Sequence, residues 1–207
     1  MNNLTKKEAL SVIYQCASAY NNNLVHKNLL FITIDNKTAS CFEVTFLPRN
    51  FLHLTGVQTK HKSADFYALA VKKRLCETDI ILPGDGTATL KLKALPSLMN
   101  IHYSARMVGD YINSKTLLVT DKIAGTVTAA MGFRRNGDLY VPNTALSTDM
   151  RSLVNKPVLR IAAIFIKAKN EVVYHKMTYL AKGLDIGDGR LSQIINEKVS
   201  LISGGTT

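Results

Sequence analysis

The segment Phe51-Leu52-His53-Leu54-Thr55-Gly56-Val57 sets one imidazole and one hydroxyl in an otherwise apolar run that ends at a glycine. Its alternation predicts a β-strand with Phe51, His53, Thr55 and Val57 on one face and Leu52 and Leu54 on the other. Imidazole moves protons near neutral pH. With cations nearby, such a face can run phosphodiester chemistry without a metal ion. RNA cleavage of that kind needs a base for the 2′-hydroxyl proton, an acid for the departing 5′ oxygen, and positive charge on the phosphorane. His53 is the candidate base or acid. Thr55 is the candidate to orient it or to contact a phosphate. The plainer alternatives are a structural, half-buried histidine and a hydroxyl bonded to a nearby backbone group.

Lysine and arginine would supply the charge, arginine with bidentate geometry. Lys122, in Thr120-Asp121-Lys122, precedes a tight turn and is the candidate for stabilising the phosphorane; the alternative is a solvated charge at a strand end. Asn143-Thr144 follows Pro142, in a loop position of the kind that often carries chemistry, and Thr144 would help to position the phosphate. Its alternative is an ordinary turn. Arg106 and Arg151 on predicted helices, with Arg160 and Lys167 on a predicted strand, are candidates for an RNA-binding track. Each taken singly is an ordinary surface cation. His102 and His175 are weaker candidates, and nothing in the sequence singles out His26 or His61.

The composition agrees with a polyanionic partner. The 207 residues hold 26 Lys+Arg against 15 Asp+Glu, a net charge of +11. The excess is spread along the chain, with no polybasic tail, so it belongs to a folded surface, and nucleic acid is the natural ligand. No HExxH, DxD or Cys/His cluster suggests a metal, and no cofactor or phosphate-loop motif occurs. The sequence therefore predicts no cofactor and no metal site. Cys16, Cys41 and Cys76 are widely spaced and odd in number, which suits a reducing cytoplasm. No run is apolar enough to span a bilayer, so no membrane partner is expected.

These residues need a scaffold. Thr5 and Glu8 form a capping box for a helix over 5–20. Residues 29–35 and 40–47 predict a hairpin around Asp35-Asn36-Lys37, and Ser63 would cap a helix through Leu75. Pro83–Gly86 predicts a turn. Pro96 is placed to open a helix on which His102 and Arg106, four apart, share a face. Strands are expected over 116–122 and 125–133, and Asn136-Gly137 is a hairpin signal leading into a strand that stops at Pro142. Ser147 would cap a short helix to about Val154. Residues 158–167 and 171–180 predict two long strands, and Leu201–Thr207 a loose end. The fold class is α+β: a helical N-terminal part followed by a twisted antiparallel sheet. The segments expected are an extension of helix and hairpin over 1–40, a main domain over 41–185 and a C-terminal tail over 186–207, with a division near residue 110.

Asn50-Phe-Leu-His-Leu-Thr-Gly-Val57, Met107-Val-Gly-Asp-Tyr111, Thr120-Asp-Lys-Ile-Ala-Gly125, Met131-Gly-Phe133, Tyr140-Val-Pro-Asn-Thr144 and Arg160-Ile-Ala-Ala-Ile-Phe165 occur in this order. As a set they resemble a phage- and mobile-element-associated group of the barnase–EndoU–colicin–RelE-like (BECR) nucleases, over roughly residues 40–182. The resemblance implies the BECR/RelE-like α+β fold and a metal-independent ribonuclease, used as a toxin or in conflict between mobile elements and hosts, in the cytoplasm of a bacterial host cell. It places His53 and Thr55 on the FxHLTG motif and Lys122 on the TDK segment.

The expected function is thus an endoribonuclease working by 2′-OH attack, a toxin or anti-defence factor of a phage or mobile element. Its RNA would be tRNA, mRNA or a guide RNA; the last would make it an anti-CRISPR. A ribosome or CRISPR effector is the kind of ribonucleoprotein it would meet. The alternative is a non-catalytic inhibitor that binds RNA or a ribonucleoprotein through the same fold. A DNA-binding accessory protein fits less well, for want of a groove-reading motif.

Overall fold

The computed structural model describes residues 3–35, 38–111, 120–154 and 157–200. The first helix, α1 (Lys6–Asn23), starts where its capping box requires. Thr5 Oγ1 accepts from the Glu8 amide at 3.2 Å, and the Thr5 amide donates back to Glu8 Oε2 at 2.8 Å. Its buried stripe of Ala9, Leu10, Ile13, Cys16, Ala17 and Tyr20 has helical period and faces the main core. Strands β1 (Lys27–Ile34) and β2 (Ala39–Thr45) then form the expected antiparallel hairpin; its tip, Asn36-Lys37, lies outside the described residues.

The first departure from expectation falls on the histidine segment. Phe51–Thr55 is a helix, α2, entered through a 3₁₀ turn at Pro48–Asn50. Phe51, Leu54 and Thr55 are buried, a spacing that serves one face of a helix as well as alternation serves a strand. Gly56 decides between the two: it takes a left-handed φ of 71°, the usual glycine terminator just past a helix end. Residues two apart on a helix diverge by about 200°. His53 is accordingly exposed and Thr55 fully buried.

Helices α3 (Ser63–Val71) and α4 (Thr87–Leu98) complete the helical layer, and the short α5 (Ile101–Ser104) leads to the sheet. Lys62, not Ser63, occupies the cap position of α3. Pro96 does not open a helix; it sits inside α4, in the last turn, and removes one amide from the ladder just before the helix ends at Leu98. Tyr20 joins this layer to the sheet, with ring centroids 6.1 Å from Phe46, 5.3 Å from Phe51 and 5.8 Å from Tyr67.

The remaining strands are β3 (Met107–Asp110), β4 (Lys122–Gly125), β5 (Ala130–Asn136), β6 (Leu139–Leu146), β7 (Leu159–Ala168) and β8 (Lys176–Leu180), followed by α6 (Gly189–Lys198). The chain is α+β, as its pattern predicts. Every pairing between described strands is antiparallel except a parallel contact of β2 with β6 at Val44 and Tyr140. The order β1-β2-β6-β5-β4-β3-β7 returns to β1, so the sheet closes on itself and β8 is added outside the ring. One edge of β7 is shared: β3 pairs with Leu159 and Arg160, and β8 with Ala163–Ile166.

The Asn136-Gly137 hairpin forms as expected, with Gly137 at φ 64°. Strand β6, however, runs through Pro142. Gly132 pairs with Thr144 and Phe133 with Pro142, so Asn143 is the extra residue of a β-bulge that relieves the ladder at the proline. The segment after Ser147 is a 3₁₀ turn, Met150–Ser152, capped by Asp149. Strand β8 is shorter than the run predicted over 171–180. Residues 112–119, which include the first part of the strand predicted over 116–122, and 201–207, the predicted loose end, lie outside the described residues.

Strand β1, within 1–40, is bonded along both edges, to β2 and to β7. Helix α6, within 186–207, packs Leu191, Ile194 and Ile195 on the core formed by Leu30, Ile32 and Phe165, and Lys198 Nζ reaches Glu43 Oε1 at 2.7 Å.

Candidate active site

Strands β1 and β8 lie on opposite edges of β7, and their first residues flank its end. Lys27 pairs with Ala168 and Lys176 with Ile166, so the two lysines stand on the same face as Ile166, on either side of it. Helix α5 lies against β8, where the Thr178 hydroxyl donates to the His102 carbonyl. Between these parts opens a cleft of about 740 Å³. Arg106 is its third cation. Its Nη1 donates to the Tyr103 and Ala105 carbonyls at 2.7 and 3.0 Å, and its guanidinium lies 4.2 Å from the centre of the Tyr179 ring. His102, Tyr103, Thr178 and Tyr179 also line the cleft, and no carboxylate stands among its described lining residues.

The imidazole of His102 is the unusual group. Its Nδ1 is buried and has no hydrogen-bond partner among the described residues. Burial is the main cause that pushes its pKa down to about 4, with Lys27 and Lys176 adding repulsion. Lys27 is lowered as well, by burial first and by Lys176 second. The cleft is thus a set of mutually repelling cations around a neutral imidazole, an arrangement that a bound anion would relieve. A buried polar atom without a partner calls for an explanation, a bound molecule being one; Asn28 Oδ1, Thr45 Oγ1 and Thr144 Oγ1 share this state, and His102 Nδ1 differs from them in belonging to a side chain that lines a cationic cleft.

This has a measurable consequence for stability. The unfolded histidine titrates near 6.5 and the folded one near 4, so between those values the unfolded chain binds more protons. Stability is fully present above pH 6.5 and falls as pH drops towards 4. Discounted for solvent screening, the fall is about 2 kcal/mol. Urea unfolding at pH 7 and pH 4.5 should show it, and His102→Gln should reduce it. An equal fall in the variant would mean that other groups carry the effect.

Of the residues singled out from sequence, Arg106 is in this cleft, with the weaker candidate His102. Lys167 is nearby on β7, where its Nζ donates to the Val172 carbonyl at 2.7 Å and lies 4.5 Å from the Tyr174 ring centre. The others lie elsewhere. His53 faces solvent from α2, its carbonyl accepting from Lys91 Nζ at 3.1 Å. Thr55 spends its hydroxyl on the Leu52 carbonyl at 2.7 Å and accepts from the Val57 amide at 3.3 Å, the plain backbone role. Lys122 pairs with Asp110 at 2.8 Å and lies over the Phe42 and Tyr140 rings, in a separate concavity with Glu43 and Lys198. Thr144 is fully buried within β6, its Oγ1 without a partner among the described residues. Arg151 pairs with Asp149, and Arg160 donates to the Lys182 carbonyl at 2.8 Å.

Sequence reasoning passed over Lys27, Lys176, Tyr103 and Thr178, which no local pattern distinguishes. It also passed over His61, whose Nε2 lies 2.9 Å from Asp79 Oδ1, outside the cleft. Hydrogen bonds from the Cys76 thiol and amide, and then from His61, hold the Asp79 carboxyl well below the usual range. Among the described residues no three His, Cys, Asp or Glu side chains gather as a metal site. No described helix is long and apolar enough to cross a membrane.

No curated protein and no solved structure matches the chain. A family model does, and its match runs from within α1 to just past β8, taking in both walls of the cleft. Residues 12–183 match the phage-Barnase-EndoU-ColicinE5/D-RelE like nuclease 4 family, and with most of its length inside that match the chain belongs to this family of nucleases, which act on nucleic acid.

Proposed function

We propose that the protein is a metal-independent ribonuclease whose reacting phosphate docks between Lys27 and Lys176. One observation carries the reading: a neutral, partly buried imidazole, its Nδ1 without a partner among the described residues, stands in a cleft whose described lining holds three cations and no carboxylate, Glu171 lying in the adjoining recess beyond Lys27 and Lys176. His102 takes the 2′-hydroxyl proton, and the 2′ oxygen bonds to phosphorus. Lys176 and Arg106 stabilise the phosphorane charge. The bond from phosphorus to the 5′ oxygen breaks, and that oxygen takes a proton from Lys27, whose ammonium burial and Lys176 make more acidic. The products are a 2′,3′-cyclic phosphate and a 5′-hydroxyl. Lys167, nearby on β7, extends the RNA contact, and the sequence-derived set of His53, Thr55, Lys122 and Thr144, with Arg151 and Arg160 as its RNA track, is the rival assignment.

The setting that suits this chemistry is a toxin or anti-defence factor of a phage or mobile element, with tRNA, mRNA or a guide RNA as target, alone or within a ribosome or CRISPR effector. The test is incubation in EDTA with total bacterial RNA, with a guide RNA and with single-stranded DNA. Discrete RNA fragments ending in cyclic phosphate, lost in His102→Gln and kept in His53→Ala, support the reading. Cleavage of DNA, or loss in His53→Ala with His102→Gln active, overturns it. Intact RNA with a salt-sensitive gel shift identifies a non-catalytic binder instead.

A further inference from the structure

Tyr103 lines the cleft beside His102. It is 46% exposed, with its ring open to solvent beside a cluster of cations. Its ring meets that of His102 edge-on, with centroids 4.7 Å apart and planes at 83°. The backbone beneath it is fixed on three sides. The Tyr103 amide donates to the Asn100 carbonyl at 3.0 Å, its carbonyl accepts from Arg106 at 2.7 Å, and the preceding carbonyl accepts from Thr178. Met177, 39% exposed, lines the same cleft. An apolar face is thus held in place next to the group that the proposed mechanism uses as its base, while Arg106 already covers the Tyr179 ring.

We infer that Tyr103 is a stacking platform for a nucleobase flanking the reacting phosphate, so that the strand is unpaired where it is cut. The inference rests on the proposed assignment of the cleft to RNA phosphate chemistry. Stacking follows from the chemistry of the parts: every nucleobase has an apolar π-face, and a ring near a cationic groove takes it without reading its edge. In a duplex that face is occupied by neighbouring base pairs, and the platform has nothing to hold. Tyr103 is a positioning residue here, and its hydroxyl has no part.

The test uses the full chain and a 2′-O-methyl RNA octamer carrying 2-aminopurine, single-stranded or annealed to its complement. Wild-type protein should bind the single strand at least about tenfold more tightly than the duplex and change the fluorescence of the probe. Tyr103→Ala should lose about 5- to 150-fold in affinity for the single strand, while Tyr103→Phe keeps affinity and signal. Equal binding of strand and duplex, an unaffected Tyr103→Ala, or a Tyr103→Phe as weak as Tyr103→Ala would overturn the platform. The two readings fail separately. Tyr103-dependent binding without RNA cleavage removes the ribonuclease assignment and leaves the platform. Cleavage that depends on His102 and ignores Tyr103 does the reverse.

Discussion

Replacing His102 by glutamine should lower metal-free RNA cleavage about 10²- to 10⁴-fold, the range that a single general base contributes. Glutamine keeps a polar, hydrogen-bonding side chain in the site but cannot take up a proton. The loss should fall on kcat, because substrate is held by Lys27, Lys176 and Arg106, which the substitution leaves in place. The pH profile gives a second, independent readout. The free protein's histidine is held down to about 4, so the acid limb of kcat/KM should lie near 4 and not near the ordinary 6.5. A bound phosphate offsets the two lysines, so the acid limb of kcat should lie at higher pH than that of kcat/KM. An acid limb of kcat/KM near 6.5, or His102→Gln within a few-fold of wild type, would remove His102 from the mechanism. Exposed His53 is the internal control.

The contrast between His53 and His102 shows what a sequence can and cannot say about this site. A histidine in an apolar run is conspicuous, but Phe51-Leu-His-Leu-Thr55 satisfies both a two-residue and a helical period, and a five-residue window is too short for periodicity to choose. Gly56 held the answer as a helix terminator. His102 was visible only through its four-residue spacing from Arg106. That pair does converge, but by another route: α5 ends at Ser104, and Arg106 turns back to the Tyr103 carbonyl. Lys27 and Lys176 could not be read at all. They meet because β1 and β8 take opposite edges of β7, which is a fact of long-range pairing.

The fold was more legible where local chemistry is self-sufficient. The Thr5–Glu8 box, the Asn136-Gly137 turn and the run of β-branched and aromatic residues in β1 each bias the backbone without help from distant parts. Pro142 misled because a proline that ends an isolated strand is tolerated beside a bulge, and the bulge is defined by β5, not by β6 alone. The same bulge moved Asn143 and Thr144 from a loop to a strand interior. The closure of the sheet through Val44 and Tyr140 leaves no local mark in either segment.

Removing Lys27 and Lys176 together should make His102 a stronger base and the protein a far weaker nuclease. Both lysines push the imidazole down, so the double substitution to alanine should raise its pKa above 4; burial, the larger cause, remains and keeps it below 6.5. An NMR titration of the imidazole reads this directly. Proton abstraction alone would then improve. Cleavage should nevertheless fall about 10- to 100-fold for each lysine, the worth of a charge-assisted hydrogen bond to the phosphate, with a further loss if Lys27 is the acid. Binding of a non-cleavable RNA strand should lose salt dependence, the slope of log K against log salt falling by about 0.7 per phosphate contact removed. The two signs separate the explanations. A raised pKa with cleavage unchanged would mean that the phosphate docks elsewhere, Lys122 being the next place to look. An unmoved pKa with cleavage lost would mean that the lysines act without sensing the imidazole. Only opposite movement of the two fits one site in which burial, reinforced by repelling cations, keeps a histidine neutral while the same cations hold the phosphate.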